Sequence, residues 1–157
     1  MRITQLPAEN AHELWSLLRV VHDLHVLHQP ERNIADPDKN DCIAWLREML
    51  SDPTYVALVA RDENAHPIGY VLCRKRRGPE APVSPPKNHG MIEHISVLPD
   101  YHRQGIGRAL IDALKEHLTD EGYTHMSVTY ALFNEASAAL MRSVGLMPKI
   151  IYAEGEI

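Results

Sequence analysis

Apolar side chains recur at two different spacings along the chain. Steps of three and four residues predict helices with one buried face, whereas short β-branched or aromatic runs between turn residues predict strands. The predicted helices are residues 11–27, 41–51 with Asn40 or Asp41 as the N-cap, 106–120 and 134–144. The predicted strands are residues 2–6, 55–60, 68–73, 91–98, 124–131 and 149–152.

The order of these elements, βααβββαβαβ, predicts an α/β fold in which a mixed sheet carries helices on both faces. Residues 76–89 contain four prolines and a glycine, a composition that predicts a surface loop inside the domain. The length of 157 residues is that of one ordinary domain, so a single domain over residues 1–157 is expected.

Composition and charge narrow the class of partner. No apolar run approaches the roughly 20 residues of a membrane span, so no membrane partner is expected. The net charge is -5 and the only dense basic run is residues 74–77, which argues against a nucleic-acid partner. The N-terminus lacks the pattern of a secretory signal and there are two cysteines, so a cytoplasmic protein is expected.

The third predicted helix opens on glycines and arginines, in the stretch RQGIGR at residues 103–108. Amides in the first turn of a helix lack carbonyl partners and lie at its positive end, so they form a seat for an anion. Glycine lets the backbone approach a phosphate closely, and arginine adds charge. The sequence lacks the Gly-Lys-Ser/Thr of a mononucleotide loop, and Leu110 stands where a dinucleotide fingerprint has its third glycine or alanine.

The stretch ISVLPDYHRQGIGRAL at residues 95–110 resembles the acetyl-CoA motif of the GNAT superfamily of N-acetyltransferases, and the order of elements along the whole chain is also that family's. His102 stands where the family usually has Arg or Gln. A second stretch, FNEASAALMRSVGL at residues 133–146, resembles the family's later motif.

The resemblance implies acetyl-CoA as the donor and a homodimer as a common assembly. The implied cofactor-binding residues are Ile95, Ser96, Val97, Arg103, Gln104, Gly105, Ile106, Gly107, Arg108 and Asn134. Asn134 is equally explained as a helix N-cap.

Transfer of an acetyl group to an amine requires a neutral amine, so a general base is useful. Glu93 is the expected base, because alternation along the strand places it with Met91, Ile95 and Val97, where desolvation would make a carboxylate a stronger base. The segment IEHISV, residues 92–97, also resembles that of diamine acetyltransferases, whose glutamate is the reported base. His94 is expected on the opposite face, as a reserve base or a structural histidine. By the resemblance, the N–H of Val97 or an adjacent residue would hold the thioester oxygen.

The usual general acid is missing, because Met141 occupies the position where many family members carry tyrosine. Tyr130, Ser143 or Tyr152 could replace it, or the thiolate could leave without a full acid. The same substitution leaves open a non-catalytic acyl-CoA sensor or interaction module.

The acceptor is expected to be a primary amine of a small molecule, with an amine on a protein or peptide as the alternative. His25 and His28 continue the apolar stripe of the first helix, so they either line the acceptor pocket or form the polar end of a core-facing helix. The histidine spacing in this helix does not fit a metal site, and no metal is expected.

Overall fold

The computed structural model describes residues 1–78 and 82–155. The strands are β1 (Arg2–Gln5), β2 (Tyr55–Arg61), β3 (Pro67–Arg77), β4 (Asn88–Val97) and β5 (His125–Val128). The helices are α1 (Trp15–His28), α2 (Lys39–Ser51), α3 (Ile106–Asp120) and α4 (Glu135–Ser143), and a 3-10 helix at Ala8–Leu14 leads into α1. Among the described residues, no helix has the length and apolarity needed to cross a membrane.

The five strands form one mixed sheet in the order β1-β2-β3-β4-β5. Neighbouring strands from β1 to β4 are antiparallel, and β5 pairs with β4 in parallel. Parallel pairing requires a crossover, and α3 supplies it between β4 and β5. The predicted α/β fold with a mixed sheet is confirmed.

Each face of the sheet packs against its own pair of helices. We call the face covered by α3 and α4 the first face and the face covered by α1 and α2 the second face. Val71, Ile92, Leu110, Leu114 and Met141 belong to the core of the first face. The core of the second face includes Leu14, Leu17, Leu46, Tyr70 and Leu72.

Several predictions about the elements are wrong. The N-cap of α2 is Asp38, whose carboxylate accepts from the N–H groups of Asn40 and Asp41. Strand β3 continues through the basic run at residues 74–77, because its backbone stays paired with β4 as far as Arg77↔Asn88. The predicted loop therefore shortens to residues 78–87, of which 79–81 lie outside the described residues.

The predicted strand at residues 149–152 is not a strand in the structure. Ile150 and Ile151 are 90% and 93% exposed, so their β-branched side chains pack against nothing that would fix them in a sheet. The observed order among the described residues is βααβββαβα, with the short 3-10 helices left out.

Candidate active site

The two parallel strands β4 and β5 pair only at one end. Their register runs from His89↔His125 to Ile92↔Val128, and beyond this point β4 continues to Val97 with no described strand paired on that side. The sheet therefore opens into a cleft between β4 and the chain that follows β5. Backbone groups along this part of β4 are available to a ligand.

The hydrogen-bonding pattern shows which backbone groups face the cleft. The N–H of Leu98 donates to the carbonyl of Ile68, toward β3. Because backbone groups alternate along a strand, the N–H groups of Ile95 and Val97 point the other way, into the cleft. The backbone groups of Ser96 face β3, and its buried hydroxyl lies on the second face without a hydrogen-bond partner. Of the three predicted residues of this strand, Ser96 is thus the one whose backbone groups do not face the cleft.

His102 contacts the end of β4 beside the cleft. Its Nε2 lies 2.8 Å from the carbonyl oxygen of Val97, on the side away from β3. The contact ties the loop after β4 to the end of the strand. His102, which stands where the resemblance predicts Arg or Gln, therefore positions the loop that leads into α3.

The loop at residues 103–108 has the backbone shape expected of an anion seat. Its amide N–H groups donate to no acceptor among the described residues, and the first backbone bond into α3 runs from the N–H of Ala109 to the carbonyl of Gly105. Gly105 has φ 80° and is the N-cap of α3, and Arg103 has φ 62°. A left-handed non-glycine residue costs about 1–3 kcal/mol, which is typical of functional loops. The unpaired amides at the positive end of the helix dipole fit a diphosphate.

The second glycine of the loop has a different role from the first. A Cβ added to Gly107 would lie 3.0 Å from Cδ2 of Leu140, so this glycine lets α3 and α4 pack closely. Nothing lies within 4 Å of a Cβ added to Gly105, where the left-handed backbone itself favours glycine. Arg108 is anchored toward the end of α4, with Nη1 3.4 Å from the carbonyl oxygen of Ser143.

Asn134 lies at the N-terminus of α4. Its Oδ1 accepts from the N–H of Ser137 at 2.9 Å, so the residue is the N-cap of the helix. Its amide nitrogen donates to no described residue and is available to a ligand.

A β-bulge in β4 changes which of its residues share a face of the sheet. Leu72 pairs with His94 and Cys73 pairs with Ile92, which leaves Glu93 as the extra residue. Two side chains in succession then lie on the same face of the sheet. Ile95 and Val97 pack on the first face, whereas Glu93 and His94 both belong to the second face. The expected grouping of Glu93 with Ile95 and Val97, and of His94 on the opposite face from Glu93, is wrong because strict alternation does not hold across the bulge.

The two bulge residues have different surroundings. Glu93 is 26% exposed, and its carboxylate lies 3.4 Å from Nη2 of Arg76. His94 is mostly buried, with Nδ1 3.3 Å from the hydroxyl of Tyr70 and its ring 5.7 Å from that of Trp45. Burial lowers the pKa of His94 to about 4, so its imidazole is neutral at neutral pH.

Three further rings lie at the C-terminal end of α1. The ring of Phe133 stacks on His28 with centroids 4.3 Å apart and contacts the edge of His25 at 5.3 Å. Phe133 directly precedes Asn134, so α1 reaches across to the loop that follows β5. Desolvation is the largest cause of a lowered pKa of His25, and the neighbouring histidines and Arg32 add to it.

The residues considered as general acids are dispersed. Met141 is fully buried in the core of the first face, and Tyr130 packs against that core. Ser143 donates to the carbonyl of Leu140, and Tyr152 is 78% exposed. Tyr130, Ser143 and Tyr152 thus lie in different surroundings, and the arrangement singles out none of them as the general acid. In the described parts of the chain, no group of three or more residues is arranged to hold a metal ion.

Sequence reasoning missed Arg76, Tyr70, Trp45 and Phe133. Arg76 is part of the basic run, in which Arg74 lies over the ring of Tyr55 and Lys75 binds Glu121. The run is thus distributed over both faces of the sheet, as alternation along a strand requires. Alternation along β3 could have predicted which face of the sheet Tyr70 lies on. Only the register between β3 and β4 shows that Tyr70 contacts His94.

The comparison with protein families agrees with this geometry. The sequence pattern of the acetyltransferase (GNAT) family matches residues 17–146, which is most of the chain. The protein belongs to this family. The match includes the cleft, the loop at residues 103–108 and α4.

Individual relatives differ in how much of the chain they share. A ribosomal protein bS18-alanine N-acetyltransferase of Escherichia coli is 40% identical over 52 residues, which are 33% of this chain and 35% of that protein. The chain therefore aligns with about a third of this curated relative.

Solved structures extend the likeness to the whole fold. The BH1408 protein of Bacillus halodurans, as a tetramutant, has a TM-score of 0.89 with 18% identity and covers 100% of both chains. AAC(6')-Iy in complex with a bisubstrate analogue of CoA and acetylneamine has a TM-score of 0.75 with 18% identity, over 99% of this chain and 98% of that one.

Proposed function

We propose that the protein is an acetyl-CoA-dependent N-acetyltransferase that transfers the acetyl group directly to a primary amine of a small molecule. The observation that carries this proposal is the continuity of the cleft between β4 and β5 with the unpaired amides of residues 103–108. A diphosphate on these amides would place a long pantetheine arm along the open edge of β4, as family membership leads one to expect.

Three groups would hold acetyl-CoA. The main-chain N–H groups of Gln104, Gly105, Ile106, Gly107 and Arg108 would bind the diphosphate, with charge from Arg103 and Arg108. The amide nitrogen of Asn134 would donate to the pantetheine arm. The N–H of Val97 or Ile95, both directed into the cleft, would hold the thioester oxygen; such a fixed donor is worth about 3 kcal/mol in the transition state.

Glu93 is proposed as the general base, acting directly or through a water molecule. It lies beside the cleft on the second face of the sheet, which we take as the acceptor side, is partly exposed, and has its charge balanced by Arg76. As the amine nitrogen bonds to the thioester carbon, its proton would pass to Glu93. The carbon–sulfur bond then breaks and the thiolate of CoA leaves, which its low basicity permits even without an acid at Met141.

An amine at a protein N-terminus is a second candidate acceptor. The observation in its favour is the 40% identity over 52 residues with a ribosomal-protein-alanine N-acetyltransferase. The same site would perform the same chemistry on this acceptor.

Two measurements test the proposal. Calorimetry with acetyl-CoA and CoA should show binding to the folded protein. Release of free thiol from acetyl-CoA should then rise with at least one member of a panel of polyamines, amino acids, aminoglycosides and peptides. Binding without acetylation of any amine would instead indicate a non-catalytic acyl-CoA sensor, and no binding would remove the enzymatic assignment.

A further inference from the structure

The β-bulge gives β4 two polar side chains on the acceptor side at successive positions. In a regular strand Glu93 and His94 would face opposite ways, but here both lie on the second face. Both follow Ile92, the last residue of β4 that pairs with β5, so they flank the mouth of the cleft.

The hydrogen bond between Tyr70 and His94 indicates which ring nitrogen of His94 carries the proton. The hydroxyl of Tyr70 is fully buried and has no other acceptor among the described residues, so it donates to Nδ1 at 3.3 Å. A neutral imidazole that accepts at Nδ1 has its proton on Nε2. His94 therefore presents an N–H donor, held in place by Tyr70 on one side and by the ring of Trp45 on another.

This donor has no protein acceptor among the described residues and is not wholly enclosed. No acceptor for Nε2 of His94 is present within the described chain. Nor is this atom among the fully buried side-chain atoms that lack a hydrogen-bond partner within the described residues. A donor that is fixed, unpaired and accessible at the mouth of a cleft is suited to an oxygen atom of a ligand.

The two bulge residues have complementary hydrogen-bonding roles. The carboxylate of Glu93 can only accept when ionised, and it suits the N–H of an amine. Nε2–H of His94 can only donate, and an amine that must keep its lone pair for the thioester is a poor partner for it. The oxygen of a neighbouring group on the same molecule would satisfy it.

Resting on the proposed function, we infer that the acceptor carries an oxygen atom on the carbon next to its aminomethyl or aminomethine carbon, and that Nε2–H of His94 binds this oxygen. The α-amino amide of a peptide N-terminus and a 1,2-amino alcohol share this chemistry. His94 is thus a specificity-determining residue, and Tyr70 is a positioning residue that sets its tautomer.

The test compares matched acceptors with saturating acetyl-CoA. L-Alaninamide is paired with isopropylamine, and 2-aminoethanol with n-propylamine, and kcat/KM is expressed per neutral amine because the amine basicities differ. A tripeptide beginning with alanine separates a peptide source from a small-molecule one. The wild-type protein should prefer the oxygen-bearing member of each pair by about tenfold, the value of one hydrogen bond to a fixed donor.

Substitutions assign the preference to His94. His94→Phe keeps a ring without the donor and should reduce the preference to about twofold or less, with unchanged affinity for acetyl-CoA. His94→Gln retains an N–H donor and should recover part of the preference. Tyr70→Phe removes the hydroxyl that keeps the proton of His94 on Nε2, and it should reduce the preference. His66→Phe, at an exposed histidine of the β2–β3 turn, is the control and should leave the preference unchanged.

The outcomes separate this inference from the proposed function. If the wild-type protein acetylates amines but shows no preference, or if the preference survives both His94→Phe and Tyr70→Phe, the inference is wrong and the proposed function stands. If the wild-type protein acetylates no amine, the proposed function is wrong, and the inference, which rests on it, is wrong with it.

Discussion

The cofactor side and the acceptor side of the cleft are built in different ways. The proposed cofactor side consists mainly of one continuous segment, residues 95–108, that presents backbone N–H groups, with Asn134 added from the start of α4. The acceptor side is assembled from side chains on α1, α2, β3, β4 and the loop before α4. Backbone donors suit a ligand that is always the same, whereas side chains can change with the acceptor while the fold is kept. Variants on the two sides should therefore separate cofactor affinity from acceptor turnover.

The largest effect is expected on the acceptor side. Glu93→Gln should lower kcat with the best acceptor by about 10²–10⁴-fold, because the amide cannot take the proton of the amine. Affinity for acetyl-CoA by calorimetry should be unchanged. Glu63→Gln, in the exposed turn after β2, is the matched control. An unchanged kcat in Glu93→Gln would remove this residue as the base.

His94 should make the acceptor side sensitive to acid. The pKa of His94 is about 4 in the folded protein, against an ordinary value of 6.5. As the pH falls, His94 is therefore protonated in the unfolded chain before it is protonated in the folded protein. The free energy of unfolding should therefore be retained above pH 6.5 and fall as the pH drops toward 4. The loss through this group is at most about 3 kcal/mol. Denaturant unfolding at several pH values should show a steeper decline for the wild-type protein than for His94→Phe; equal slopes would contradict the prediction.

On the cofactor side, two glycines form a matched pair. Gly105 and Gly122 both have a left-handed backbone, with φ 80° and 81°, and neither would bring a Cβ within 4 Å of another atom. Alanine at either position should lower stability by about 1–2 kcal/mol. Only Gly105→Ala should also weaken acetyl-CoA binding, by about tenfold, because it disturbs the amides of the anion seat. Equal affinities in the two variants, measured by calorimetry, would argue against this seat.

The smallest effect is expected at Asn134. Asn134→Ser keeps an N-cap oxygen for the N–H of Ser137 but loses the amide nitrogen, whereas Asn134→Ala loses both. Thermal unfolding should show a loss of about 1 kcal/mol for the alanine variant and little change for serine. Both should weaken acetyl-CoA binding about fivefold. If Asn134→Ser binds acetyl-CoA as the wild-type protein does, the residue is only a helix cap.

Prediction from sequence succeeded where the signal is local and periodic. The spacing within α3, its glycine turn and the Asn134 cap are read directly from neighbouring residues. It failed where a partner elsewhere in the chain decides. Strand β3 extends through Arg77 because β4 pairs with it, and Ile150 and Ile151 form no strand despite their β-branched side chains.

The amino-acid sequence alone determined the fold class and predicted the segment proposed to hold the cofactor, because helix periodicity and a glycine turn act within a few residues of the chain. The tertiary structure decided the acceptor side. One extra residue in β4 moves Glu93 onto the face of His94, and only packing against β3, α1 and α2 brings Arg76, Tyr70 and Trp45 to them. A bulge is set by the register between two strands, and register depends on contacts that neither strand contains by itself.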